Sequence, residues 1–321
     1  MPKIAYRDIK FQAKTLSLIE LINSIVAEYH AQGYDLTLRQ VYYQLVARGY
    51  IPNNERSYKN LGNVLNDGRL AGLIDWNSIV DRTRNLRKNS HWNNPKEIIE
   101  SAAYQFALDK WKNQPNYVEV WVEKDALVGV VGQICNSLDV PYFSCRGYVS
   151  QSEMWTAAQR FIRENRTRES CTILHLGDHD PSGIDMTRDI QERMSLFGAD
   201  VNVERIALTM SQVELYNPPP NPTKLTDARA GGYLSTYGEE CWELDALDPS
   251  VMSKLISTHV EELRDESLYE AMKDLEWEHR EDLHSVHNQW GQASKYARKL
   301  DSGEYEPIFW EDTEEEDEDD D

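Results

Sequence analysis

Residues 171–183 read Cys-Thr-Ile-Leu-His-Leu-Gly-Asp-His-Asp-Pro-Ser-Gly. The first six are apolar or β-favouring and predict a buried strand over 171–176. Gly177 breaks the run, and Asp178 and Asp180 follow at once. Asp180 before Pro181 is also a helix-start pattern, an N-cap followed by proline at the first helical position. Two readings of the same acids therefore stand together: carboxylates delivered to a strand end, or a capped helix start with no chemistry.

Outward from this stretch the hydrophobic period alternates. Residues 117–123 (YVEVWVE), 141–145 and 201–208 read as strands, while 127–138, 151–164 and 186–197 read as helices. Strands and helices alternating at these lengths imply crossover connections and a parallel sheet covered on both faces. Such sheets place ligands at the carboxyl ends of their strands. Glu123 ends the first strand, and Asp178 and Asp180 follow the third. If those strands are neighbours, three carboxylates share one crevice and repel, and a hard divalent cation relieves them; Mg²⁺ fits an all-oxygen set, with Mn²⁺ an alternative.

Toward the N-terminus, apolar residues recur at helical spacing over 11–30, and Gly33 closes the run. Thr37 is placed to cap a helix over 38–48, Ser57 to open another through about Ala71, and Gly72, Ile74 and Trp76 read as a short strand. Three helices and a wing describe a winged helix-turn-helix with residues 58–69 as the groove-reading helix; a plain helical bundle has the same pattern. Arg82, Arg84, Arg87 and Lys88 follow as a basic cluster, suited to phosphates or to solvent alone. The expected organisation is an α/β multidomain chain: a helical, winged-helix DNA-binding domain over 1–94, a connecting helix within 95–115, a parallel-sheet domain over 116–248, a helical region over 249–310 and a disordered acidic tail over 311–321. Residues 217–222 (NPPPNP) read as a stiff connector.

Composition bounds the function. A chain of 321 residues, 40% hydrophobic with nine Trp and seventeen Tyr, has material for about two packed domains. The longest apolar run, near 126–132, is far short of the roughly 20 residues a membrane span requires, and no signal segment opens the chain, so the expected location is cytoplasmic, with DNA. Cys135, Cys145, Cys171 and Cys241 form no Cys-x-x-Cys pair, which argues against a zinc site or a disulfide framework. A net charge of −21 argues against nucleic acid until its distribution is read. Residues 1–100 carry 14 Lys and Arg against 10 Asp and Glu, whereas 311–321 hold ten acids and no base.

The phrase VEKDAL at 122–127, with Glu123 55 residues ahead of Asp178 in GDHDPSG, resembles the Glu and Asp-x-Asp signature of a TOPRIM domain. More narrowly it is similar to the version in the A subunit of topoisomerase VI and its relative, the meiotic double-strand-break protein. The resemblance implies that Glu123, Asp178 and Asp180 bind the metal. That family also carries a winged helix before TOPRIM, with an Arg-x-x-Tyr-Tyr phrase whose second Tyr attacks DNA; Arg39-Gln-Val-Tyr42-Tyr43 matches it. Arg39 and Tyr43 stand i and i+4, on one helix face, with Tyr42 turned away by about 100°. A nearby guanidinium lowers a phenol's pKa and stabilises charge on phosphorus. The resemblance, over about 36–208, also implies double-stranded DNA as substrate, a homodimer and a separate ATPase subunit. Gly129, Gly132 and Gly231-Gly232 lack the spacing and Lys of a phosphate-binding loop.

Three functions follow: a Mg²⁺-dependent, Tyr-dependent DNA-cleaving transesterase; a hydrolytic TOPRIM nuclease; and a non-catalytic DNA-binding protein, against which the intact acid triplet argues. Lys224, Asp227, Arg229, Glu243 and Asp245 match no motif of the family, and either line the same site or pair with one another. The tail would compete with phosphate for the basic head. Truncation before Glu311 should tighten non-specific duplex binding at low salt, a difference that shrinks as salt rises; equal low-salt affinity would make the tail a solubility device.

Overall fold

A computed structural model describes residues 3–79 and 89–303. Arg82, Arg84, Arg87, Lys88 and the acidic tail lie outside the described residues. The chain divides into two compact units, Met1–Leu86 with Lys110–Tyr269, and Arg87–Asp109 with Glu270–Asp321.

The first unit begins with α1 (Ala13–Ala31), α2 (Leu38–Ala47) and α3 (Glu55–Leu70). Thr37 caps α2 in a full capping box with Gln40. Helix α3 starts three residues earlier than expected, because Asn54 rather than Ser57 is its cap, accepting from the Ser57 N–H. Ile22, Ile25, Tyr29, Leu36, Val41, Leu45, Leu61 and Ile74 form the core of this region. No wing strand forms over 72–76. Gly72 turns the chain at φ +72°, Ile74 plugs into the helical core, and Asp75 holds a turn through the Asn77 N–H and Ser78 hydroxyl. Among the described residues, single bridges from Ala5 to Ala71 and from Leu36 to Ile79 stand in its place.

The second unit contains α4 (Pro95–Gln105). The helix expected to connect through 112 stops at Gln105, and its flank is tied to a later helix instead, as Leu108 N–H donates to Glu276 and Arg280 donates to the Phe106 carbonyl.

Back in the first unit, β1 (Asn116–Val122), α5 (Val128–Leu138), β2 (Tyr142–Ser144), α6 (Gln151–Glu164), β3 (Ser170–Leu176), α7 (Pro181–Leu196) and β4 (Asn202–Ala207) alternate as expected. The sheet is entirely parallel in the order β2-β1-β3-β4. Alternate residues serve opposite faces. Val118, Val120, Val122, Leu174 and Leu176 pack with Val131 and Cys135 of α5 and with Met252 and Ile256 further on, while Trp121 and Ile173 pack with Phe161 of α6 and Ile190 of α7. Both faces are covered, which is why these strands read as near-continuous apolar runs. The buried acid among them, Glu119, is paired with Arg160 and accepts from Trp121 and Tyr117.

Beyond the sheet come α8 (Met210–Tyr216), β5 (Asn221–Pro222), α9 (Ala230–Tyr237), β6 (Glu240–Cys241) and α10 (Pro249–Glu262). The Pro-rich stretch is thus not a free connector, since β5 pairs antiparallel with β6. Helices α11 (Glu266–Asn288) and α12 (Trp290–Asp301) follow. All four cysteines are buried and free. Among the described residues no helix is long and apolar enough to cross a membrane.

Gly183, in the first turn of α7, is fixed by close approach: a Cβ there would stand 2.2 Å from the Asp178 carbonyl oxygen. Backbone cannot give way as a side-chain tip does. Gly183→Ala should cost about 1–3 kcal/mol, read as a melting point lowered by roughly 2–4 °C per kcal/mol; an unchanged melting point would mean that this turn is not held against Asp178.

Candidate functional site

Register builds the site. β1 and β3 pair in parallel with Val122 opposite Leu176, so both strands end at one level. Glu123 and Asp178 are therefore brought together, and the Asp178 N–H donates to Glu123 Oε2 at 2.8 Å. Burial, then the nearby Asp178 charge, pushes the Glu123 carboxyl up to about 7. Asp178 is also raised by burial, although Lys124 opposes the shift. Its Oδ1 accepts from the Leu244 N–H and its Oδ2 lies 2.8 Å from Lys124 Nζ. Asp180 fulfils the capping reading, accepting from Gly183 N–H at 2.6 Å and Ser182 Oγ at 2.8 Å through Oδ1, and also lines the adjoining cleft. His179, between the two acids, is packed against Tyr233, Tyr237 and Trp242.

Arg205, which no local pattern singles out, staples this loop from β4. Its guanidinium donates to the carbonyls of Gly177, Asp178, Gly183 and Leu208 and to the Thr187 hydroxyl. Five donors are thereby matched to five acceptors, which fixes the loop's backbone.

A second layer comes from the segment after β6. His179 and Trp242 exchange backbone hydrogen bonds in both directions, and a 3-10 turn, Leu244–Ala246, packs against α2. This brings Glu243 and Asp245 to the strand ends. Lys124 Nζ lies 2.9 Å from Glu243 and 3.0 Å from Asp245. Arg39 of α2 donates to Glu243 and lies 3.2 Å from Asp245. Burial would raise the Glu243 carboxyl, but Lys124 and Arg39 outweigh it and hold the group below its ordinary range. The sequence left these acids between lining the site and forming an ion-pair network; Glu243 does both, whereas Asp245 is fully buried and only pairs. Lys224 and Asp227 also line the cleft, and Arg229 pairs with Asp227 and Asp185.

Tyr42 and Tyr43 meet edge to face, and both line the cleft, whose volume is about 790 Å³. Helix face therefore does not separate them. Their hydroxyls do: Tyr42 donates to Asn53 and accepts from the Asn54 N–H, whereas Tyr43 accepts one long bond, 3.4 Å, from Asn221 of β5. Arg39 stands 5.9 Å from the Tyr43 ring centre. The expected lowering of the Tyr43 pKa does not result. Burial and the Glu243 charge outweigh Asn221, Arg39 and Lys124, and push the phenol up to about 12.

The chain matches no protein-family model, no curated protein and no solved structure. The chemistry of the site rests on its own atoms. Glu123, Asp178 and Asp180 supply hard oxygen donors; burial raises the Glu123 and Asp178 carboxyls, and for Glu123 the Asp178 charge adds to it, a cost that a cation would relieve. Asp245, whose side chain is 0% exposed, keeps Oδ1 without a hydrogen-bond partner. The donors fit Mg²⁺ in kind. In the present arrangement Lys124 supplies the cation, and among the described residues no group of three or more His, Cys, Asp or Glu is arranged to hold a metal.

A carboxyl raised on folding binds its proton more tightly in the folded state than in the unfolded one. The stability it contributes is full below about 4.5 and is lost as pH rises through about 7. Glu123→Gln should therefore gain melting temperature relative to the parent between pH 5 and pH 8. A parent-to-variant difference that is flat with pH would contradict the raised carboxyl.

Proposed function

We propose that this chain is a Mg²⁺-dependent DNA-cleaving transesterase with a TOPRIM-like sheet domain and a DNA-binding helical head, in which Tyr43 is the nucleophile. One observation carries the reading: Arg39 and Tyr43 line the same cleft as Asp180 and Glu243, beside the strand ends that bear Glu123 and Asp178. The Arg-x-x-Tyr-Tyr and acid phrases, 80 residues apart between Tyr43 and Glu123, would on this reading serve one site. Glu123, Asp178 and Asp180 would hold Mg²⁺, which would stabilise charge on the phosphoryl oxygens.

In the proposed step the Tyr43 oxygen attacks phosphorus and forms a phosphotyrosine ester. The bond to one sugar oxygen breaks, the leaving oxygen takes up a proton, and the phenol gives one up. One phosphoester replaces another, so the energy for rejoining is kept. Arg39 and Lys124 are the cations at Tyr43, and both favour the phenolate. Helix α3 offers exposed Arg56, Asn60 and Asn63 at i, i+4 and i+7, side chains able to reach base edges in a major groove. A second copy of the chain would allow both strands to be cut, and a separate ATPase subunit would supply any strand passage; both remain part of this proposal.

A metal-dependent hydrolysis, in which water rather than Tyr43 attacks, is the second reading, favoured by the buried phenol raised to about 12. One experiment separates the two. Supercoiled plasmid is treated with protein and Mg²⁺ or Mn²⁺, the reaction is stopped with detergent, and samples are compared with and without protease. Transesterification predicts DNA ends that migrate freely only after proteolysis. Tyr43→Phe should lose the adduct on the order of a thousand-fold or more, at a stability cost of about 1 kcal/mol or less, because its hydroxyl makes one long bond. Tyr42→Phe should retain the adduct. Protein-free ends from an active Tyr43→Phe variant would transfer the function to the hydrolytic reading. Asp180→Asn combined with Glu123→Gln should abolish cleavage and the Mg²⁺-induced rise in melting temperature while leaving the fold, since Asn caps helices as well as Asp.

A further inference from the structure

Glu243 Oε2 is held by two cations at once. Lys124 Nζ donates to it at 2.9 Å from the turn after β1, and the Arg39 guanidinium donates to the same oxygen from α2. Two cations from different parts of the fold converging on a single anionic oxygen is the arrangement that binds a phosphate oxygen. The carboxylates around the pair are of two kinds. Asp245 is fully buried and reaches both cations from behind, and Asp178, almost as deeply placed, holds Lys124. Glu243 is 24% exposed and lines the cleft, together with Arg39, whose side chain is 42% exposed. Withdrawing Glu243 would therefore leave Lys124 still paired with Asp178 and Asp245, and Arg39 still near Asp245. The clamp would persist with one vacant anion position facing the cleft, beside the Tyr43 ring.

We propose that Arg39 and Lys124 form a phosphodiester clamp whose occupant in the resting chain is the Glu243 carboxylate. Lys124 thereby becomes a substrate-binding residue, and Glu243 an internal phosphate mimic that a DNA phosphate displaces. This rests on the DNA-cleaving reading above and specifies which groups hold the phosphate next to Tyr43. Exchange of one anion for another keeps the charge around both cations nearly constant. It also makes productive binding depend on an anion that can reach this depth of the cleft.

The test uses the full chain and a fluorescent 20-base-pair duplex, with anisotropy followed from low to moderate salt in the presence of EDTA. Glu243→Gln should bind about five- to tenfold more tightly at low salt. The dependence of log affinity on log salt should steepen by about 0.9, the increment for one additional neutralised phosphate. A structural role alone would not steepen that slope. Glu214→Gln removes the same charge from the exposed surface of α8, outside the cleft lining, and should leave the slope unchanged. Adding Lys124→Met to Glu243→Gln should cancel the gain. Glu243→Asp, which retains the charge but shortens its reach, should tighten binding partially and serves if the Gln variant does not fold. A parent that binds no duplex would overturn the DNA reading and this inference with it. Duplex binding by the parent with no gain and no steeper slope in the Glu243 variants would overturn the clamp alone. So would an equal gain in Glu214→Gln, or calorimetry in which Glu243→Gln weakens Mg²⁺ binding to the protein without DNA, which would make Glu243 a metal ligand.

Discussion

The parallel pairing of β1 with β3, in a register that ends both strands at one level, is the constraint on which the site depends. A shift of one residue would turn Val118, Val120 and Val122 off the face they share with α5. Apolar burial on both faces of the sheet therefore fixes the register, and the register in turn forces Glu123 beside Asp178. Two carboxylates in one partly buried crevice are unfavourable by themselves, and the raised Glu123 and Asp178 carboxyls express that cost. The core supplies the stability that tolerates it.

Charge compensation then shapes everything around the crevice. Five acids, Glu123, Asp178, Asp180, Glu243 and Asp245, face three cations, Arg39, Lys124 and Arg205. Arg205 acts on the backbone, tying the loop that bears Asp178 by its carbonyls. Lys124 and Arg39 act on the carboxylates, and they link elements far apart in sequence. The segment from β6 to the 3-10 turn is the hinge of this arrangement, because it bonds to the His179 backbone on one side and packs against α2 on the other.

The tyrosine pair illustrates how tertiary contacts override a helical-wheel argument. Spacing puts Arg39 and Tyr43 on one face and Tyr42 on another, yet all three line the cleft, because the Pro-rich stretch and the start of α3 wall it on a second side. What distinguishes the two phenols is partner supply. The Tyr42 hydroxyl is committed to Asn53 and Asn54, while that of Tyr43 has one long contact from Asn221. Burial first, and then the Glu243 charge, outweigh the lowering pull of the Arg39 guanidinium on the Tyr43 phenol.

The sequence by itself determined the alternation of strands and helices from 116 to 208, the capped start of α2 and the placement of Glu123, Asp178 and Asp180 at strand ends. Each of these is written in local period, capping chemistry or strand termination, which short-range sterics and burial impose. It did not determine that residues 72–76 form no strand, with Ile74 drawn into the helical core, or the end of α4 at Gln105. Nor could it choose between roles for Glu243 and Asp245. Their meaning lies in Lys124 and Arg39, more than 100 and 200 residues away, and a carboxylate's role depends on which cations the fold carries to it. Only the tertiary structure brings those charges within 3.2 Å of one another, because Coulombic pairing acts through space while sequence patterns report only neighbours along the chain.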